Sequence, residues 1–303
     1  MKVLSLFDGI SCGMVAFERV GIDVDKYVAY EIDNYATQIS SKNYPNIEHK
    51  GNVFDADFSE YKGFDILIGG SPCTYWSISK NSSRETTPDG MGGQLFMQYV
   101  RALKESGCKW FLYENNFSIH QNIKDFISEQ LGVLPLDINS ALVSGQTRKR
   151  CYWTNIPFLG LPTDKGIVVE DILEPNVDQF YNCTNTLITL NDNPSKNNTT
   201  KSIRLGNIGT STGQANRIYS INGKSVCLQA QAGGGGAKTG LYKIDNTDGS
   251  YIVRKLTPLE TERLQTLPDN YTEGIPETQR YKCIGNGWTV DVIAHLLKPL
   301  KDG

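Results

Sequence analysis

A chain of 303 residues with 33 acidic and 30 basic side chains, net charge −3, can bury one large core and a smaller one and is no bulk polycation. It shows no apolar run of membrane-spanning length and no charged-then-apolar leader, so no membrane partner is expected. Seven cysteines, an odd number without a CxxC pair, argue against a disulfide framework and a metal site and point to a reducing cytoplasm.

Val3 to Phe7 reads as a short apolar strand, followed by the turn Asp8-Gly9-Ile10-Ser11-Cys12-Gly13 and a helix through Val20. Tyr27 to Glu31 is a second strand, and Asn34 is expected to cap a helix running to about Asn43. Ile66 to Gly69 is a buried strand whose Gly69-Gly70 end delivers Ser71-Pro72-Cys73 to the sheet edge. A helix from about Gln94 to Glu105 then leads to a strand from Trp110 to Glu114. Another helix spans roughly Ile119 to Leu131, with strands near 136–139 and 151–154. This alternation predicts an α/β fold built on a largely parallel, doubly wound sheet.

The texture changes after Pro162. Residues 175–250 are rich in Asn, Thr, Ser and Gly, with strand-like runs at Arg217 to Ser220 and Ser225 to Leu228, which predicts a small loop-rich β domain. Helical signals return at Pro258 to Gln265 and at Thr289 to Lys298, a tail expected to pack back on the first domain. The expected division is therefore 1–165 with 252–303, and 166–251. Charge follows it: residues 1–60 hold ten acids against five bases, whereas 195–255 hold nine bases against Asp245 and Asp248. A basic segment of that kind can meet a polyanion locally, although a solvated basic face would have the same composition.

Free cysteine is most often a small core residue, which is the ordinary reading of Cys12, Cys108, Cys151, Cys183, Cys227 and Cys283. Cys73 differs by its place at the carboxyl end of a central strand, the mouth of an α/β crevice. It has company in Glu114-Asn115 at another strand end and in Gln146-Thr147-Arg148-Lys149-Arg150. A thiol, a carboxylate and paired arginines suit nucleophilic attack on an electron-poor, hydrogen-bonding ring. Phe7-Asp8-Gly9 with Gly13, and Glu31 ending the second strand, suit a nucleoside cofactor; the spacing is not the GxGxxG pyrophosphate fingerprint.

Taken in order, these motifs resemble those of the DNA cytosine-5 methyltransferases of the small bacterial and phage type, and the resemblance covers nearly the whole chain. Leu6-Phe7-Asp8-Gly9 is similar to the family's cofactor loop, and Gly70-Ser71-Pro72-Cys73 to its nucleophile loop. Glu114-Asn115, Gln146-x-Arg148-x-Arg150, the run from Arg254 to Gln265 and Gly285-Asn286 are similar to its later motifs. The sequence departs from the pattern at Asn52, at Asn116 and at Gly287-Trp288. The resemblance implies a Rossmann-like class I methyltransferase sheet with helices on both faces, plus a small β target-recognition domain. It also implies S-adenosylmethionine as cofactor, held by Phe7, Asp8, Gly9, Ile10, Glu31, Ile32, Asn52, Val53, Pro72 and Asn286.

By the same resemblance Cys73 attacks cytosine C6 and Glu114 holds N3 and the exocyclic amine. Arg148 or Arg150 contacts O2, Arg150 being favoured by position. Base flipping out of double-stranded DNA follows, because C5 lies inside the stack. The polar loop from Ser77 to Gly93, with Ser79, Lys80 and Arg84, is expected to close over the DNA. Gln214 and Arg217 are expected to face the bases, and Lys224 and Lys238 the phosphates. A monomer is implied, a cognate restriction endonuclease is a compatible partner, and no metal is needed. Three rivals stand beside this reading: a catalytically silent DNA-binding module, an RNA (tRNA) cytosine-5 methyltransferase, and a hydrolase pairing Cys73 with His49, His120 or His295.

Overall fold

Apolar runs buried on both faces form the centre of a seven-stranded sheet. Its strands are β1 (Lys2–Leu6), β2 (Lys26–Tyr30), β3 (Glu48–His49), β4 (Ile66–Gly69), β5 (Trp110–Asn116), β6 (Leu136–Asn139) and β7 (Lys149–Thr154). Their order is β3-β2-β1-β4-β5-β7-β6. The pairs among β1 to β5 are parallel, and β5 with β7 is antiparallel. Because the chain winds outward from β1 to β3 and then restarts at β4 on the other side, the order reverses between β1 and β4. That is the switch point at which α/β sheets open a ligand crevice. The computed structural model describes residues 1–77, 84–175, 177, 188–190, 201–209, 213–230 and 240–301.

The helices flanking this sheet are α1 (Cys12–Val20), α2 (Asn34–Asn43), α3 (Met91–Ser106) and α4 (Gln121–Leu131). Asp33, not Asn34, caps α2: its backbone is still extended, and Oδ1 accepts the N–H groups of Tyr35 and Ala36 at 2.9 and 3.3 Å. The core of this part runs through Leu4, Leu6, Val28, Leu67, Phe96, Tyr99, Tyr113 and Trp153.

Two units emerge, one of Met1–Ile138, Lys149–Leu161 and Ile293–Gly303, the other of Asn139–Arg148 and Pro162–Val292. The second contains the sheet β12-β11-β10-β9-β8, made of β8 (Ile188–Leu190), β9 (Arg204–Ile208), β10 (Arg217–Ser220), β11 (Leu241–Asp245) and β12 (Tyr251–Arg254). The chain thus returns to the first unit at Ile293 and not at 252. The reason is packing: Leu256, Leu264 and Ile284, from the tail, share a core with Val169, Tyr219, Leu228 and Tyr242. Residues 139–148 belong there too, since Ser144 Oγ and Gln146 Nε2 both donate to the Leu264 carbonyl.

α5 (Pro258–Leu264) starts where expected, with Thr257 and Glu260 forming a reciprocal capping box. α7 (Val290–Leu297) lies within the expected terminal segment. α6 (Glu277–Asn286) was not legible, because its apolar residues Tyr281, Cys283 and Ile284 are crowded at one end. Ser225 to Leu228 is no strand: Ser225 makes a single bridge to Gln146 and the ladder stops there. Among the described residues no helix is long and apolar enough to cross a membrane, and no group of acidic, His or Cys side chains could hold a metal ion.

Candidate active site

β4 and β5 run parallel with Gly69 opposite Tyr113, so the residues just beyond them, Ser71 to Cys73 and Glu114-Asn115, emerge side by side at the carboxyl edge. The contact is too close for any larger residue at position 70. A Cβ on Gly70 would lie 2.8 Å from the Glu114 carbonyl oxygen and 3.1 Å from its Oε2. Ser71 Oγ meets the Tyr113 hydroxyl at 2.6 Å, both buried, and Asn115 Nδ2 donates to the Ser71 carbonyl at 3.2 Å. The peptide before Pro72-Cys73 is thereby tied to β5. On the other side, the Cys73 carbonyl accepts the N–H groups of Trp76 and Ser77.

Cys73 is a partly exposed thiol, unlike the buried Cys12, Cys108, Cys151 and Cys283. Burial raises Cys108, and burial together with a hydrogen bond to Asp137 pushes Cys151 up to about 12. Those thiols resist ionisation, as core cysteines do. Cys183 lies outside the described residues.

Glu114 Oε1 pairs with Arg150 Nε at 2.9 Å, with both side chains nearly enclosed. The register explains the pair: Glu114 faces Tyr152 across the β5–β7 ladder, and Arg150 is its diagonal neighbour on the same face. Arg148 is a different case and corrects its expected place beside the base. It precedes β7 in the second unit, and its buried guanidinium donates to the carbonyls of Leu228, Gly285 and Gly287 at 3.1, 3.2 and 2.9 Å. Its donors hold backbone together, which leaves Arg150 as the arginine beside Glu114.

The turn after β1 is built from three left-handed residues, Phe7, Gly9 and Ser11, with φ of 57°, 60° and 59°. Glu31, ending β2, accepts the Gly9 N–H through Oε2 and those of Ile32 and Asp33 through Oε1, each at 2.8 Å. Burial raises its pKa against the pull of those bonds. Asp8 turns inward: its carboxylate accepts from the hydroxyls of Ser5, Ser11 and Tyr27, and so shapes the turn. Ile10 and Val53 are likewise core residues. Ile32, 75% exposed, and Phe54, 44% exposed, are apolar groups left uncovered beyond β2 and β3.

Asn52 is exposed and spends Oδ1 on the Phe54 N–H, capping a short 3-10 turn. Asn116 likewise makes a local turn with Ser118. Pro72 is exposed beside Cys73. These features fit a nucleoside cofactor: an acid fixed at the end of β2, an open space where a Cβ on Gly9 would meet nothing within 4 Å, and uncovered apolar side chains nearby in the chain.

In the second unit Asn286 is exposed at the end of α6, while Gly285 is required for packing, since a Cβ there would strike the Gln229 carbonyl carbon at 2.5 Å. Arg217 opens β10 and is half-buried. Lys224 corrects its phosphate assignment: it is fully buried, its Nζ donates to the carbonyls of Ser144 and Ile167, and burial lowers its pKa. Arg84 is also bound inward, to the carbonyls of Trp76 and Ser118. Ser79, Lys80 and Lys238 lie outside the described residues, as does the side chain of Gln214.

The histidines leave the hydrolase reading without a base. His120 caps α4, His295 meets the Gly160 carbonyl, and His49 contacts Ser40. Sequence reasoning missed Tyr113 and Ser71 as the tie under the nucleophile loop; the Glu-Asn pair was the signal, because Asn115 is the residue that reaches across.

A reversed-order α/β sheet with an acid ending β2 and a thiol loop after β4 defines a methyltransferase of class I. EhMeth, a methyltransferase of Entamoeba histolytica, superposes with a TM-score of 0.74 at 18% identity, covering 100% of this chain and 98% of that one. The type II methyltransferase M.HhaI of Haemophilus parahaemolyticus is 27% identical over 316 residues, 98% of this chain and 93% of that protein. M1.ScrFI of Lactococcus lactis subsp. cremoris is 28% identical over 320 residues, 96% of this chain and 76% of that protein. The family model for C-5 cytosine-specific DNA methylases matches residues 1–130 and 143–302. The chain belongs to that family and is a DNA cytosine-5 methyltransferase.

Proposed function

We propose that Cys73 is the nucleophile of this methyltransferase, that Glu114 and Arg150 hold the target base, and that the turn after β1 with Glu31 holds S-adenosylmethionine. The observation that carries the reading is the enclosed Glu114–Arg150 pair, pressed by Gly70 against the strand end that bears Cys73. A cytosine ring offers C6 to a thiolate and a polar edge to a carboxyl and a guanidinium. The Cys73 Sγ–C6 bond forms first and makes C5 electron-rich; after substitution at C5 its proton is lost, the Sγ–C6 bond breaks and the thiolate departs. Glu114 stabilises the charge that develops on the ring, and Arg150, fixed by Glu114, would meet O2. S-adenosylmethionine, when bound, supplies an electrophilic methyl group. Glu31 would accept from the ribose hydroxyls while keeping Gly9 in place, and Ile32 would cover the base of the nucleoside.

The cytosine must leave the duplex to reach Cys73, so the substrate is a flipped base. Arg217 on β10 is proposed as a reader of a guanine edge. The test is transfer of labelled methyl from S-adenosylmethionine to unmethylated duplex DNA, with tRNA in parallel and the modified positions sequenced. Wild-type protein should give 5-methylcytosine in one short DNA context. Cys73→Ser should lower the rate by roughly 10³-fold or more with cofactor affinity unchanged. Equal rates for wild type and Cys73→Ser would sink the covalent mechanism, and transfer to tRNA alone would sink the DNA substrate.

A further inference from the structure

Beneath the turn after β1 runs a chain of polar side chains that the reaction does not use. Asp8 accepts from Ser11; Ser11 Oγ lies 2.6 Å from Ser40 Oγ, and Ser40 Oγ lies 3.2 Å from His49 Nε2. The direction of every proton in it can be worked out. An ionised Asp8 only accepts, so Ser11 donates to it; Ser40 must then donate to Ser11, and His49 Nε2–H must donate to Ser40. The neutral imidazole is therefore the Nε2–H tautomer. Its other nitrogen, Nδ1, is left with a bare lone pair, buried and without a hydrogen-bond partner among the described residues.

This chain ends under a strained turn. Phe7 and Ser11 are non-glycine residues in the left-handed region, and such conformations persist only where the surroundings hold them. Asp8 does the holding through Ser5, Ser11 and Tyr27, whose hydroxyls all donate to its carboxylate. If Asp8 takes up a proton, Ser11 becomes an acceptor and the bonds that hold the turn lose the strength that the carboxylate charge gives them.

We infer that Asp8 and His49 are positioning residues for the cofactor, Asp8 fixing the left-handed turn and His49 taking at Nδ1 the proton that would otherwise reach Asp8 as the pH falls. The inference rests on the turn being the S-adenosylmethionine site. A proton on Nδ1 leaves every bond of the chain in place and sets an imidazolium across two hydroxyls from the carboxylate. Burial pulls His49 below its ordinary value and pushes Asp8 above its own, which draws the two toward each other. The other charged groups nearby are Glu31 at the end of β2, held by backbone N–H groups, and the partly exposed cluster of Lys26, Glu48 and Lys50 along β2 and β3.

The test is the affinity for S-adenosylmethionine measured by calorimetry from pH 8.5 down to 5.5 on wild type, His49→Gln and Ser40→Ala. Glutamine keeps an N–H donor for Ser40 but has no lone pair that titrates; Ser40→Ala cuts the chain in the middle. Both variants are expected to bind within about twofold of wild type at pH 8.5, and at least about fivefold more weakly than wild type at pH 5.5. With only three histidines in the chain, long-range ¹⁵N–¹H spectra should show His49 as the Nε2–H tautomer at high pH. Variants that track wild type across the whole range, or a His49 protonated on Nδ1 when neutral, overturn the inference while leaving the cofactor site intact. A folded wild type that binds no S-adenosylmethionine at any pH overturns the cofactor site itself, and this inference with it.

Discussion

The turn that leaves β1 and the loop that leaves β4 come from neighbouring strands at the switch point, and they are held by opposite means. The first is held by charge: Glu31 accepts three backbone N–H groups and Asp8 accepts three hydroxyls. The second is held by neutral bonds and by bulk, through Ser71, Tyr113 and Asn115 and the close fit of Gly70 on Glu114. Charge-held backbone responds to protons, whereas neutral bonds and steric fit do not. The two loops thus have supports with different sensitivities, and pH should act on the turn after β1 before it acts on the tie beneath the loop after β4.

Three experiments would break or sharpen that contrast. The largest effect is expected from Gly70→Ala. The added methyl would sit 2.8 Å from the Glu114 carbonyl oxygen, so Glu114 and its Arg150 partner must shift. The turnover rate should fall by roughly 10- to 100-fold, with a stability loss of about 1–3 kcal/mol in urea melts. Unchanged S-adenosylmethionine affinity in the same variant would confirm that the two loops are held separately.

A smaller effect is expected from Tyr113→Phe, which deletes the hydroxyl shared by Ser71 and Asn115. The buried groups left behind should cost about 1–2 kcal/mol, read by chemical denaturation, and the rate should drop by about 2- to 5-fold with no new pH dependence. A new pH dependence would count against a neutral tie.

The smallest effect belongs to the charge-held side. Burial raises Asp8 above 3.8, so over the window between that value and its raised one the folded state binds more protons than the unfolded state. Its contribution to stability is full below 3.8 and is lost as the pH rises through the raised value. Asp8→Asn should flatten the slope of stability against pH in that window while weakening the cofactor at neutral pH. Asp8 would then be a residue ionised for function at the expense of stability. Parallel slopes for variant and wild type would remove Asp8 from that role.

The candidate site was legible in its placement, because its residues stand at strand ends, where apolar runs stop. The structure puts Cys73, Glu114 and Glu31 at or just past the ends of β4, β5 and β2. Alternation could not separate Arg148 from Arg150, since only Arg150 lies within β7, and two residues of spacing would put both on one face had the strand begun earlier. Counting charge could not show that Lys224, one of nine bases in a basic stretch, is the one that folds inward. The return of the chain to the first unit was placed too early because the helix signals of the tail, at α5 and at α7, are ordinary ones. Which core receives them depends on Leu264 and Ile284 finding Val169 and Tyr242, a long-range match that no local pattern encodes.

The base of the loop beyond Cys73 is closed on itself. The Glu85 N–H donates to the Tyr75 carbonyl at 2.9 Å, Arg84 Nε donates to the Trp76 carbonyl at 3.0 Å, and the indole of Trp76 donates to Glu85. A neck fastened in this way isolates whatever lies beyond it. A pull arriving along the chain from Arg84 onward is taken up by the backbone of Tyr75 and Trp76 before it reaches the thiol.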